Sequence, residues 1–219
     1  PVYVASNLYP YVQRIDTDFQ FFPGFSAQQK LKSIESLQKS FLIQNPGKSI
    51  LEISSKSGVE LGIKLSAFNL QIIRDNRSFS VETAFQSSKV FENGGPYTDL
   101  LQKKSSDAKK DDRIRNSGKL IRFEFLGEEF PIEPPNYFYD WLYINAVNSR
   151  NDLKNQVMNY DCFTDIEFNP KKSLNCQARS IAIFVGLSRS GILNESLKNK
   201  ENFLKIVCLG QKKDPSIEK

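Results

Sequence analysis

The chain contains no histidine. That absence removes serine–histidine triads, histidine zinc sites and imidazole general bases together. Any chemistry must then run on carboxylates, lysines, tyrosines, amides or thiols. Cysteine is scarce too. Cys162, Cys176 and Cys208 are odd in number and lack a CxxC spacing, which fits reduced thiols and not a disulfide framework or a zinc ribbon. No apolar run approaches the ~20 residues of a membrane-crossing helix, and the start shows no signal-peptide pattern. The expectation is a soluble, cytoplasmic protein with no membrane partner. A P-loop, a GxGxxG followed by a ribose-binding acid, a zinc pattern and internal repeats are all missing, so no cofactor and no metal are expected.

What is present is a globular composition. The 219 residues are 39% hydrophobic and 12% aromatic, with 17 Phe against one Trp, enough for one substantial core. The net charge of +5 and pI near 9.0 are compatible with a phosphate-bearing or nucleic-acid partner, and equally with many plain enzymes. The order of elements mixes strands and helices with few clean βαβ units, which predicts an α+β fold: a small sheet surrounded by helices. One domain is expected over residues 1–210, with an extended N-terminal segment at 1–22 and a frayed tail at 211–219.

Val2-Tyr3-Val4 and Phe19–Phe22 read as extended segments. Ser26 caps a helix in which Gln29 completes a capping box and Leu31, Ile34, Leu37 and Phe41 form the buried stripe; Asn45-Pro46-Gly47 stops it. A strand over Ile50–Ile53 leads to a Ser/Lys/Gly loop. A second strand runs from Gly62 to Ile73, with Ser66-Ala67-Phe68-Asn69 placing polar groups at its far end. Lys119–Phe125 and Phe130–Ile132 form a hairpin. Helices follow Pro134-Pro135-Asn136, cover about 152–159 and 181–187, and run from Leu193 to Leu209. In the first of them Trp141 reads as core, while Tyr139 and Tyr143 fit either core or a stacking role.

Two stretches stand out. Ser80 to Phe91 reads as a helix capped by Ser80 and ended by Asn93-Gly94-Gly95-Pro96. Val81, Ala84, Phe85 and Ser88 form the face that packs inward, and Glu82, Gln86, Lys89 and Asn93, recurring at spacings of four, three and four, share a second face. A carboxylate, an amide and an amine on one rod can form a catalytic strip; they can also be an ordinary solvated face. Tyr160–Pro170 reads as a strand with Asp165, Glu167 and Asn169 on one side, either a functional carboxylate pair or a solvated edge. A charge run at 102–116 is either a solvated surface or a phosphate-backbone patch, and its aspartates dilute the second reading.

Ser66–Asn69 followed by Val81–Lys89 resembles the paired signatures of the NADAR family. Longer runs resemble the NADAR antitoxins that accompany DarT-type DNA ADP-ribosyltransferase toxins: Phe22–Ser26, Lys89–Tyr97, Phe138–Ala146, Phe163–Asn169 and Asn175–Arg179. The resemblance spans about Phe19 to Leu204. It departs at Phe168-Asn169, where the wider family carries a Trp-Gly pair. It implies an N-glycosidase-type hydrolase that removes ADP-ribose from guanine in DNA, with ADP-ribosylated DNA, ADP-ribose and a DarT-type toxin as partners. Carried onto this sequence, it makes Glu82 and Lys89, with Asp165 and Glu167, the catalytic candidates. Glu82 would stabilise oxocarbenium-like charge or activate water, and Lys89 would attack the anomeric carbon. Ser66, Phe68, Asn69, Phe85, Gln86, Asn93, Gly94, Gly95, Tyr97 and Asn169 are the substrate-binding candidates. Two other classes compete: a non-catalytic ADP-ribose or nucleic-acid binding module, and an N-glycosidase of riboflavin-pathway intermediates.

Overall fold

The computed structural model describes residues 1–171 and 173–211. It is a mixed α+β structure built on a four-stranded sheet. Strands β1 (Val2–Ala5) and β2 (Val12–Ile15) form an antiparallel pair in register Val2↔Ile15. Helix α1 (Ala27–Gln44) leads to β3 (Ile50–Glu52) and the short α2 (Glu60–Lys64). The hairpin β4 (Gln71–Arg74) and β5 (Arg77–Ser80) then delivers the chain into α3 (Val81–Ser87) and β6 (Lys89–Phe91). A 3-10 turn at Thr98–Gln102 precedes α4 (Ser105–Lys110) and α5 (Arg113–Asn116). Strands β7 (Leu120–Phe125) and β8 (Glu128–Phe130) join β6 in a second sheet, in order β6-β7-β8. Helices α6 (Tyr137–Asn148) and α7 (Asn151–Val157), strand β9 (Cys162–Thr164) and helix α8 (Gln177–Arg189) follow, then α9 (Leu193–Ser196), α10 (Lys200–Phe203) and a π-helical turn at Leu204–Cys208.

The first sheet has the order β2-β1-β9-β3, with β1–β9 antiparallel and β3–β9 parallel. Its side chains alternate between two cores, as a pleated strand requires. Tyr3, Leu51 and Phe163 face the main core with α6 and α8, while Val2 and Cys162 face Leu37 and Phe41 of α1. Helix α8 is apolar on nearly every side and lies against β1. Gly186 makes that approach possible, since a Cβ there would stand 2.3 Å from the Tyr11 carbonyl and 2.5 Å from that of Ser6. Buried Asp140 of α6 accepts from Arg179 and, at 2.6 Å, from Ser180, which ties α6 to α8. Because the Tyr143 hydroxyl donates 2.6 Å to the Leu65 carbonyl, this ring is core. Trp141 packs edge-on to Phe203 at 5.5 Å, also in a core role.

Several expected elements differ. Phe19–Phe22 forms no strand, and although Ser26 caps α1 through Gln29 N–H, the Gln29 side chain makes no reciprocal bond. The expected strand over 62–73 is replaced by α2, a tight turn and β4. Leu61 and Leu65 are buried one helical turn apart, and Gly62 lies against the Glu52 carbonyl, where a Cβ would be 2.0 Å away. The helix expected to reach Phe91 stops at Ser87. Ser87 and Ser88 hydroxyls both bond the Ala84 carbonyl (3.0 and 2.6 Å), and the next residues pair with β7 in register Lys89↔Phe123.

The strand expected through Asn169 ends at Thr164. Side chains take the amides that would have continued it: Glu52 accepts from Ile166 N–H at 2.8 Å and Asp165 from Glu167 N–H at 3.1 Å. The long terminal helix is broken because Asn199 starts a new one, accepting from Asn202 N–H at 2.7 Å. Apart from Gln211, the tail expected to fray lies outside the described residues. Among the described residues no helix is long and apolar enough to cross a membrane.

Candidate active site

The parallel pair β3–β9 ends at Glu52 and Thr164, and the segments that leave it form one wall of a cavity of about 530 Å³. Ligand sites favour the carboxyl ends of parallel strands because loops diverge there. Ser54 and Ser55 come from the loop after β3, and Asp165, Glu167, Phe168 and Asn169 from the loop after β9. Helix α3 supplies the opposite wall with Glu82, Phe85 and Gln86, and Lys89 follows from the start of β6.

Helix α3 is buried along its whole length, so the solvated-face reading of Glu82 and Gln86 does not hold. Its first amides dock on the turn before β4: Val81 N–H donates to the Leu70 carbonyl and Glu82 N–H to that of Ala67, both at 2.9 Å. Ser80 caps Thr83 N–H at 3.0 Å. That turn is anchored from the far side, since Ala67 N–H donates 2.6 Å to the Gln177 amide oxygen of α8. Every amide that a helix start leaves unpaired is a demand for a partner, and here the partners fix Ser66, Ala67 and Phe68 beside Glu82.

Inside the cavity the polar groups of α3 and β6 form a chain. Gln86 Nε2 donates to Glu82 Oε1 at 3.0 Å, and Lys89 Nζ donates to Gln86 Oε1 at 2.7 Å. The Lys89 amine also lies 4.9 Å above the Phe85 ring, which is itself packed against Phe123, Phe138 and Tyr139. Burial lowers the Lys89 pKa to about 8; nearby Glu82 opposes that shift and Lys109 adds to it. Lys109, from α4, stands 3.9 Å from Glu82 and 5.2 Å above the Phe68 ring.

Across the cavity, burial raises the Asp165 pKa to about 8, with the Glu52 carboxylate beside it adding to the rise. Glu52 is itself almost wholly enclosed and pushed up by burial, while accepting from Thr164 Oγ1 at 2.5 Å and Ile166 N–H. Glu167 is more exposed and pairs with Lys30 of α1 at 2.9 Å. Tyr139 lines the cavity with its hydroxyl held protonated by burial. Among the described residues no cluster of acids and cysteines could hold a metal ion.

Of the residues singled out in the sequence, Glu82, Lys89, Asp165, Glu167, Ser66, Phe68, Phe85, Gln86 and Asn169 meet in this one cavity. Asn69, Asn93, Gly94, Gly95 and Tyr97 are not among its lining residues. The Asn69 amide closes its own turn on the Ile63 carbonyl and Ser66 Oγ, both at 3.0 Å. Gly95 packs behind Lys89, since a Cβ there would stand 2.3 Å from the Lys89 carbonyl. The Tyr97 hydroxyl bonds Ser117 at 2.5 Å, and its ring lies under the Arg113 guanidinium at 4.5 Å. Sequence reasoning passed over Ser54, Ser55 and Gln177, and left Lys109 in a charge run and Tyr139 undecided. Only the Asn175–Arg179 run, already singled out by resemblance, signalled Gln177.

Comparison with curated proteins gives no match. The model of one protein family, described as the DarT1-associated NADAR antitoxin, matches residues 1–216. With nearly its whole length matched, the chain belongs to the DarT1-associated NADAR antitoxin family.

Proposed function

We propose that the protein is a hydrolase that releases ADP-ribose from the guanine base of DNA, and so undoes the damage of a DNA ADP-ribosyltransferase toxin. One observation carries this reading: the Lys89 amine, lowered to about 8 and held by Gln86, opens into the same cavity as Asp165, raised to about 8. Near pH 8 part of the amine is therefore neutral while part of the carboxyl keeps its proton, which is the pairing that nucleophilic cleavage of a C–N bond needs.

In the proposed sequence the Lys89 lone pair attacks the anomeric carbon of the ribose. The bond to the guanine amino nitrogen breaks as Asp165 gives that nitrogen its proton. The amine adduct loses its own proton to the Asp165 carboxylate; the C1′–O4′ bond then breaks as Asp165 passes that proton to the ring oxygen, which leaves a protonated imine on Lys89. Water then adds to the imine carbon, the amine departs and ADP-ribose is released. Glu82, 3.9 Å from Lys109 and bonded to Gln86, stabilises the positive charge that builds on the ribose carbon. Ser54, Ser55 and Asn169 offer hydroxyl and amide partners for the ribose and phosphate oxygens, and Phe68 offers a half-buried ring for stacking.

Incubation with DNA carrying ADP-ribosylated guanine tests the reading. Free ADP-ribose and unmodified DNA are the expected products. Tight binding of ADP-ribose without any turnover would instead make the protein a shield.

A further inference from the structure

Phe68 is a partition between two recesses. On one side is the cavity that holds Lys89; on the other is a second hollow of about 370 Å³, bordered by Lys103, Lys104, Ser105, Gln71 and Ser78. Ser105 fixes the partition, donating 2.8 Å to the Phe68 carbonyl while lying 2.8 Å from the Ser80 hydroxyl that caps α3. From Lys103 to Lys110 the chain carries four lysines against one aspartate. Lys109 bends over Phe68 into the first recess, and Lys103 is bound to Asp111 at 2.8 Å. Among the described residues, exposed Lys104 has no carboxylate partner.

We infer that the second recess holds the nucleotide next to the modified guanine, with its backbone phosphate against Lys104 and the strand crossing over Phe68. This rests on the hydrolase reading above and adds to it the path of the strand beside the modified base. Phosphate contacts from lysine position a strand without reading its sequence, and an aromatic ring on the strand path accepts any base. The hollow is polar on the Gln71–Ser78 side, where Ser78 donates to the Gln71 amide oxygen at 2.9 Å, and cationic on the α4 side. That division suits a sugar–phosphate backbone.

The test compares Lys104→Glu with the unaltered protein on two substrates: ADP-ribosylated guanine within a DNA oligonucleotide, and the same adduct on guanosine alone. The expected result is a loss of about tenfold in kcat/KM on the oligonucleotide, with a shallower salt dependence, and a change within about twofold on the nucleoside. Activity on the nucleoside also shows that the variant is folded. Equal losses on both substrates would place part of ADP-ribose itself in the recess, and no loss on either would leave Lys104 without a strand to bind; both overturn the inference. If the unaltered protein cleaves neither, the hydrolase reading falls. Anisotropy with unmodified single-stranded DNA then still decides the strand path, because Lys104→Glu must weaken that binding.

Discussion

Lys89 Nζ and Gln86 Oε1 lie 2.7 Å apart although one residue starts a strand and the other is near the end of a helix. Gln86 is therefore a coupler: its oxygen aims the amine, and its nitrogen holds Glu82 at 3.0 Å. Replacing Gln86 by the similarly sized Met leaves both partners in a buried site without that link. Loss of a buried hydrogen bond costs about 1–3 kcal/mol, so kcat should fall roughly tenfold or more. Single-turnover rates check this, and a rate within about twofold of the original would remove Gln86 from the mechanism.

The pH profile should be bell-shaped with its maximum near pH 8. Activity rises as Lys89 loses its proton around 8 and falls as Asp165 loses its own around 8. Since both groups titrate in one cavity, the two limbs report the site as a whole. Asp165→Asn removes the group that must stay protonated. The variant's residual rate should therefore climb to a plateau at high pH without a descending limb. A descending limb that persists in Asp165→Asn would give the proton donor's role to another residue.

Both groups also cost stability. Asp165 holds its proton more tightly in the folded chain, so stability falls as pH rises from roughly 4, where the unfolded carboxyl titrates, to about 8. Lys89 holds its proton less tightly, so stability is lowest below about 8 and recovers as pH climbs toward the ordinary lysine value. Asp165→Asn and Lys89→Met should each raise the unfolding free energy at pH 7, by on the order of 1–3 kcal/mol because the cavity leaves both groups partly wet. Thermal melts at pH 5 and pH 7 check the signs: the Asp165→Asn gain should shrink at the lower pH, and the Lys89→Met gain should not.

Gly95 adopts φ +91° and lies against the Lys89 carbonyl, so Gly95→Ala would need both a strained backbone and a shifted β6. The expected cost is about 1–3 kcal/mol of stability, together with a fall in kcat because Lys89 moves with its strand. An unchanged melting temperature would mean that this turn does not support the site.

The cap at Ser26, the core of α8 and the β7–β8 hairpin were legible because each depends on neighbours a few residues away. The grouping of Glu82, Gln86 and Lys89 was legible too, although the helix invoked to explain it ends before Lys89. Spacing brought the three together on paper; a helix followed by a bulged strand does so in space. Asp165 and Glu167 were visible as residues, but not as a loop. The bond that turns the chain there comes from Glu52, more than a hundred residues earlier. Gln177 holding Ala67 is equally remote in sequence. Asn93, Gly94 and Gly95 were substrate-binding candidates by resemblance; they stand outside the cavity lining, and Gly95 packs against the Lys89 carbonyl, a contact that sequence spacing does not reveal.

Reductive trapping at Lys89 bears most directly on the account. The protein is mixed with ADP-ribosylated guanine DNA, quenched with borohydride and digested for mass spectrometry. The account predicts an ADP-ribose adduct on the peptide carrying Lys89, no adduct in Lys89→Ala, and a loss of at least about a hundredfold in that variant's rate, some 2.7 kcal/mol. Release of ADP-ribose by Lys89→Ala at a rate within about tenfold of the unaltered protein, with no trapped lysine, would contradict it.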